Sequence, residues 1–256
     1  MKLRLAVHKF SSCDGCQLAL LNLGELLLEL AAQLEIVHFA EAGIADETAP
    51  ADLALVEGSL STPEDIARIR AIRDCSGWLV SIGACATAGG LQALRNDAGD
   101  GMEWPGMVYA HPEWLSDLGG ARPIADEVRV DWSLWGCPVD RLQVLALIRA
   151  RLAGTRPVVN DEKVCASCKR RGLACVMVAN GTPCLGPVTR DGCGALCPGT
   201  ARGCYGCYGP AEDINRPALD ARLQTLGDSG ERVLRRYRLM NAAAPGFRSD
   251  EGEGGS

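Results

Sequence analysis

Thirteen of the 256 residues are cysteine, and their spacing is the first feature of the chain that suggests chemistry. Cys13-x2-Cys16 stands near the N-terminus, and Cys85 and Cys137 follow as singles. Eight more then crowd into Cys165-x2-Cys168-x6-Cys175-x8-Cys184-x8-Cys193-x3-Cys197-x6-Cys204-x2-Cys207. Thiolates are soft ligands, and four of them hold either a 4Fe-4S cubane or a tetrahedral zinc ion. One Cys-x2-Cys pair with two distant singles supplies one set of four, and the crowded segment supplies two more, enough for three cubanes. Zinc competes with this reading, because Cys-x2-Cys pairs open and close the crowded segment. Against zinc stand the four cysteines outside that segment and the lack of a basic surface. The thirteenth, Cys75, ends a helical stretch and reads as a packing residue. Disulfides are not expected. No leader precedes the first strand, so the chain is expected to begin where its gene does and to work in the cytoplasm, where thiols stay reduced.

Soft ligands need a scaffold. With 47% hydrophobic and 23% charged residues the composition is globular, and 26 basic against 32 acidic side chains leave a net charge of -6, which repels a nucleic-acid backbone. The most apolar run, Leu18 to Leu30, is broken by Asn22, Gly24, Glu25 and Glu29, too short a stretch to span a membrane. Up to about residue 155, short apolar runs alternate with helical patterns. Strands are expected at Leu3 to His8, Glu35 to Ala40, Asp52 to Glu57, Trp78 to Ile82 and Val130 to Trp135. Helices are expected at Leu18 to Leu34, Pro63 to Asp74, Ala86 to Arg95 and Val139 to Leu152, with an irregular excursion over 97 to 127. That order predicts an α/β, flavodoxin-like parallel sheet over residues 1 to 155. Ligands in such sheets gather beyond the carboxyl ends of the strands, where Cys13, Cys16, Cys85 and Cys137 all fall, with Gly15, Gly83 and Gly136 allowing close backbone approach. Residues 161 to 209 hold eight cysteines and nine glycines but few large aliphatic side chains, so this part must organise around metal rather than a core. Helical periodicity returns near Ile214. The second domain is placed at 156 to 240, and 241 to 256 is expected to be a mobile tail.

Several motifs together resemble the small, electron-transferring subunit of nickel-iron hydrogenases over roughly residues 3 to 240. They are Ser12-Cys13-Asp14-Gly15-Cys16, Val56-Glu57-Gly58-Ser59, Gly83-Ala84-Cys85-Ala86-Thr87-Ala88-Gly89-Gly90, Gly136-Cys137-Pro138, and Cys184 through Gly194. The resemblance implies a proximal cluster on Cys13, Cys16, Cys85 and Cys137, a distal one on Cys165, Cys168, Cys175 and Cys184, and a medial one on Cys193, Cys197, Cys204 and Cys207. An exchange of one ligand between the last two sets fits the same spacing. Cys165 stands where the exported branch of the family has a histidine, and Cys197 supplies a fourth medial ligand. The chain therefore looks most like the delta subunit of the cytoplasmic, NADP-linked hydrogenases called sulfhydrogenases. The resemblance implies a large subunit bearing the Ni-Fe centre, and flavin (FAD), NADP-binding and ferredoxin-like subunits as partners.

No Gly-x-Gly-x-x-Gly follows a strand, so nucleotide and flavin belong elsewhere. No nucleophile and base stand together, so no catalytic residue is expected. Glu57 ends the third strand and is a candidate for service around the proximal cluster, as a ligand or as a hydrogen-bond partner orienting a cysteine. His8, His38 and His111 lack metal-ligand spacing. Asp14 and Arg190 have no partner the sequence identifies. Two other readings remain: the 20 kDa-type quinone-reductase subunit, which has the same first domain but adjacent cysteines, and a zinc-stabilised interaction module.

Overall fold

A computed structural model describes residues 2–97, 103–158 and 162–248. The chain divides into two compact units, Met1–Val158 and Val159–Ser256.

The first unit is built on five parallel strands in the order β2-β1-β3-β4-β5: β1 (Leu3–Lys9), β2 (Leu34–Phe39), β3 (Leu53–Glu57), β4 (Leu79–Ile82) and β5 (Trp132–Leu134). This is the flavodoxin-like order expected. Every residue of β3 and β4 is buried, because helices cover both faces of the sheet. Leu53, Leu55, Val80 and Ile82 pack on one side with Leu5 and Val7, while Ala54, Val56 and Leu79 pack on the other with Ile69 and Ile72. Each such aliphatic side chain stabilises the sheet by roughly 1.5 to 3 kcal/mol.

The helices follow the sequence pattern with informative shifts. The run from Leu18 divides into α1 (Gly15–Leu21) and α2 (Glu25–Ala31), separated at Gly24, whose φ of 59° no ordinary helix residue adopts. Helix α3 (Pro63–Asp74) carries a capping box between Thr62 and Asp65. Helix α4 (Gly83–Ala88) begins three residues earlier than expected and stops at Gly89, and a 3-10 turn over Leu91–Asp97 continues it. The excursion holds α5 (Glu103–Val108), and Asp140 caps α6 (Arg141–Leu152).

The second unit shows no strand among its described residues. It contains α7 (Val164–Arg170), α8 (Val176–Ala179), α9 (Leu196–Gly199), α10 (Arg216–Thr225) and α11 (Gly230–Asn241). Loop bridges such as Lys163 with Arg190 and Thr189 with Pro210 tie its cysteine-bearing part together. The expected mobile tail is corrected as far as Arg248. Ala244 and Phe247 are fully buried, and Phe247 lies 5.3 Å from the Tyr237 ring. One phenylalanine among small and acidic residues is enough to dock the segment, which averaged composition conceals. Residues 249–256 of that tail lie outside the described residues. No described helix is long and apolar enough to cross a membrane.

Candidate metal centres

In the first unit the carboxyl ends of β1, β3, β4 and β5 share one edge, and four cysteines fall there. Cys13 is exposed in the loop after β1, and Cys16 is buried in the first turn of α1. Cys85 is half-buried in α4, and Cys137 is exposed after β5. Their sulfurs act on one another. Burial pushes the Cys16 thiol far up, and Glu57, Cys85 and Cys137 push it further, while a backbone N–H of Val139 opposes them. Burial lifts Cys85 to about 11, with Cys137 and Cys13 adding to the shift. Cys137 rises through burial, Cys13 and Glu57. Four thiols so placed repel as anions, and a cationic metal centre relieves that repulsion.

Two glycines make room for sulfur. A Cβ at Gly83 would lie 2.3 Å from Cys16 Sγ, and one at Gly90 would lie 2.6 Å from Cys85 Sγ. Both residues also hold a positive φ, so a side chain would meet strain as well as sulfur.

Glu57 does not reach the centre as a free carboxylate. It is buried, and its two oxygens accept the N–H groups of Cys16 and Gln17, each at 3.1 Å. These are donors at the N-terminus of α1 that no earlier turn can satisfy. A carboxylate from β3 thus caps the helix that presents Cys16. Burial raises its pKa while the two N–H groups hold it down.

Sequence reasoning missed two contributors. Gln92 donates to the carbonyl of Ser11 at 2.8 Å and accepts from Cys85 Sγ at 3.4 Å, joining the loop before Cys13 to Cys85 across 81 residues. Nothing local marks it. Asp14, which the sequence pattern leaves without a partner, pairs with Lys9 at 2.7 Å. His8 and His38 take no part in the centre: they are buried in β1 and β2 with rings stacked 4.5 Å apart.

In the second unit Cys165, Cys168, Cys175 and Cys184 line one cavity of about 120 Å³. Burial and then Cys184, Cys168 and Cys175 raise Cys165 to about 11. Cys184 Sγ accepts the N–H of Gly186 at 3.4 Å and of Cys204 at 3.1 Å, and Cys204 Sγ accepts that of Gly206 at 3.4 Å. The remaining four form close couples. Cys193 raises Cys197 after burial does, and Cys207 and Cys184 both act on Cys204. Cys184 therefore adjoins both groups of four.

Four thiols at each centre are a donor set that a 4Fe-4S cubane and a tetrahedral zinc ion use in different ways. Four thiolates around one zinc at about 2.3 Å lie about 3.8 Å from each other. A cubane gives each thiolate its own iron and so accepts a wider cage. Cys75, the thirteenth, caps α3 and donates to the Ile72 carbonyl at 3.4 Å.

The family described as NADH ubiquinone oxidoreductase, 20 Kd subunit, matches residues 13–151. Sulfhydrogenase 2 subunit delta of Pyrococcus furiosus is 36% identical over 238 residues, covering 93% of this chain and 99% of that protein. One subunit of the F420-non-reducing hydrogenase vhu of Methanococcus voltae is 30% identical, with 94% of each chain covered. Among solved structures, a chain of an NAD+-reducing [NiFe]-hydrogenase in the H2-reduced state superposes with a TM-score of 0.57 and 27% identity, covering 62% of this chain and 95% of that one.

Proposed function

We propose, from the premise that this chain belongs to the NADH ubiquinone oxidoreductase 20 kDa subunit family and is the electron-transferring small subunit of a nickel-iron hydrogenase, that twelve of its thirteen cysteines hold three 4Fe-4S clusters in a cytoplasmic, NADP-linked enzyme. The catalytic site lies on the large subunit with which such chains pair. Cys13, Cys16, Cys85 and Cys137 would hold one cluster, Cys165, Cys168, Cys175 and Cys184 a second, and Cys193, Cys197, Cys204 and Cys207 a third. When bound, each cluster would take up and release one electron at a time. FAD, NADP and further iron-sulfur groups would sit on companion subunits, and the delta-subunit likeness supports the pyridine-nucleotide link.

The chain's own residues set the conditions. Burial of Cys16 and Cys204 lowers the local dielectric. The N–H groups of Gly186, Cys204 and Gly206 neutralise charge on sulfur and so favour a reduced centre. Glu57 fixes the start of α1 and with it the position of Cys16.

One observation carries the reading: thiols from three separate strand ends, far apart in sequence, act on one another at one edge of the sheet, where Gly83 and Gly90 leave room for sulfur. Anaerobic purification with iron and sulfide analysis tests it. Roughly twelve iron and twelve sulfide per chain, with a dithionite-induced paramagnetic spectrum, is the expected outcome. Stoichiometric zinc with no visible absorption would overturn it.

A further inference from the structure

Helix α11 buries one face, on which Val233, Tyr237 and Asn241 recur every fourth residue. Val233 is aliphatic and needs no partner. Tyr237 fastens α11 to α10, because its hydroxyl donates to Asp220 at 2.6 Å and the Arg216 guanidinium stands 4.8 Å from its ring centroid. Asn241 fits neither role. It ends the helix fully buried, and burying a primary amide forfeits hydration that an aliphatic side chain does not have to lose. Its Nδ2 donates to the Gly206 carbonyl at 2.8 Å, while its Oδ1 accepts no hydrogen bond among the described residues. A side chain that only filled the core would be apolar here.

The one bond that Asn241 makes falls on the turn between Cys204 and Cys207. The Gly206 carbonyl also accepts the N–H of Gly209 at 2.9 Å, so two donors occupy both lone pairs of a single oxygen. At its other end Gly206 donates its own N–H to Cys204 Sγ at 3.4 Å. The residue has little room to tilt. A Cβ on it would lie 3.0 Å from Leu185 Cδ1 and 3.5 Å from Phe247 Cε2, and Phe247 is itself held 5.3 Å from the Tyr237 ring. Fixing the Gly206 carbonyl therefore fixes the direction of its N–H.

We propose that Asn241 is a positioning residue for Cys204: it aims the Gly206 N–H at the sulfur and thereby sets the reduction potential of the cluster that Cys204 helps to hold. The inference rests on the reading that Cys204 is a cluster ligand. An N–H bonded to a ligand sulfur offsets the added charge of the reduced state, so misdirecting it lowers the potential.

The assembly of this chain with its large subunit is titrated potentiometrically without oxygen and followed by electron paramagnetic resonance. Asn241→Leu nearly keeps the volume and removes the donor, and Gly206 retains its bond from Gly209, so no carbonyl is stranded. In this variant the reduced-to-oxidised ratio of one cluster at a fixed potential should fall at least threefold, about 28 mV at about 59 mV per tenfold change for one electron. The other two clusters should not move. Tyr237→Phe loosens the same helix by removing the bond to Asp220; it should lower the unfolding midpoint and leave every potential in place. If Asn241→Leu sheds iron, Asn241→Gln decides, because it keeps a donor: a retained cluster within threefold of the wild-type ratio supports the proposal, and a lost or further shifted one overturns it. Iron-replete Asn241→Leu with no threefold shift overturns it too, as does an equal shift in Tyr237→Phe. Wild-type assembly purified without iron would instead sink the cluster reading, so the two failures are distinguishable.

Discussion

The two units present cysteines by opposite means. In the first, thiols sit on loops and short helices that leave the edge of a fully buried sheet, and the sheet holds together through aliphatic packing that owes nothing to sulfur. In the second, cysteine-bearing loops stack on one another through N–H to sulfur bonds and a few bridges, and the buried aliphatic side chains are fewer: Val164, Val176, Leu185 and Val188 beside the α10–α11 pair. The first unit is a scaffold that accepts a cluster. In the second, ligation must supply much of the folding free energy, as in other small metal-organised domains.

Metal removal should separate the two units most. Anaerobic chelation and oxidation of the clusters is expected to abolish amide exchange protection over residues 162–211 while β1, β3 and β4 stay protected; equal loss in both units would refute the contrast. A smaller effect of the same kind separates single ligands. Cys184→Ala removes a sulfur that accepts two N–H groups, and it should lose more than one cluster's worth of iron, roughly four atoms, because it adjoins both sets. Cys137→Ala should lose one cluster and leave the thermal transition of the first unit nearly in place.

Within the first unit, Glu57→Ala strands the buried N–H groups of Cys16 and Gln17 and should cost about 2 to 4 kcal/mol in denaturant unfolding. Glu57→Gln, which keeps an acceptor, should recover about half. Gly83→Ala puts a Cβ against Cys16 Sγ at a φ of 82° and should cost about 1 to 3 kcal/mol and reduce iron content in the first unit alone.

The smallest effect is electrostatic and sits away from the cysteines. Burial, then His38 and Arg68, depress the His8 imidazole to about 3. Folded His8 stays neutral where the unfolded chain takes a proton, so its contribution is whole above pH 6.5 and is lost as pH falls from there towards 3. Going from pH 7 to 5.5 should cost the first unit about 1 kcal/mol. His8→Phe should flatten that slope in exchange measured on β1. An unchanged slope would mean that the ring is protonated in the fold.

Much of this is legible in the residues alone. The five strands show in runs such as Leu53 to Val56, because a strand covered on both faces needs consecutive apolar residues. The proposed cysteine sets can be drawn from spacing because a cluster needs a fixed number of thiolates. The break at Gly24 and the packed Phe247 escape such a reading, since one residue in a long pattern is outweighed by its neighbours. Gln92 and the Lys9–Asp14 pair leave no local trace.

Local pattern by itself determined the order of elements, the α/β class and which residues could serve as soft ligands, because periodicity and side-chain chemistry are properties of neighbours along the chain. Only the tertiary structure decided that Glu57 caps the helix bearing Cys16, and which sulfurs share a cavity. Those outcomes depend on distances between residues dozens of positions apart, and such distances are set by packing.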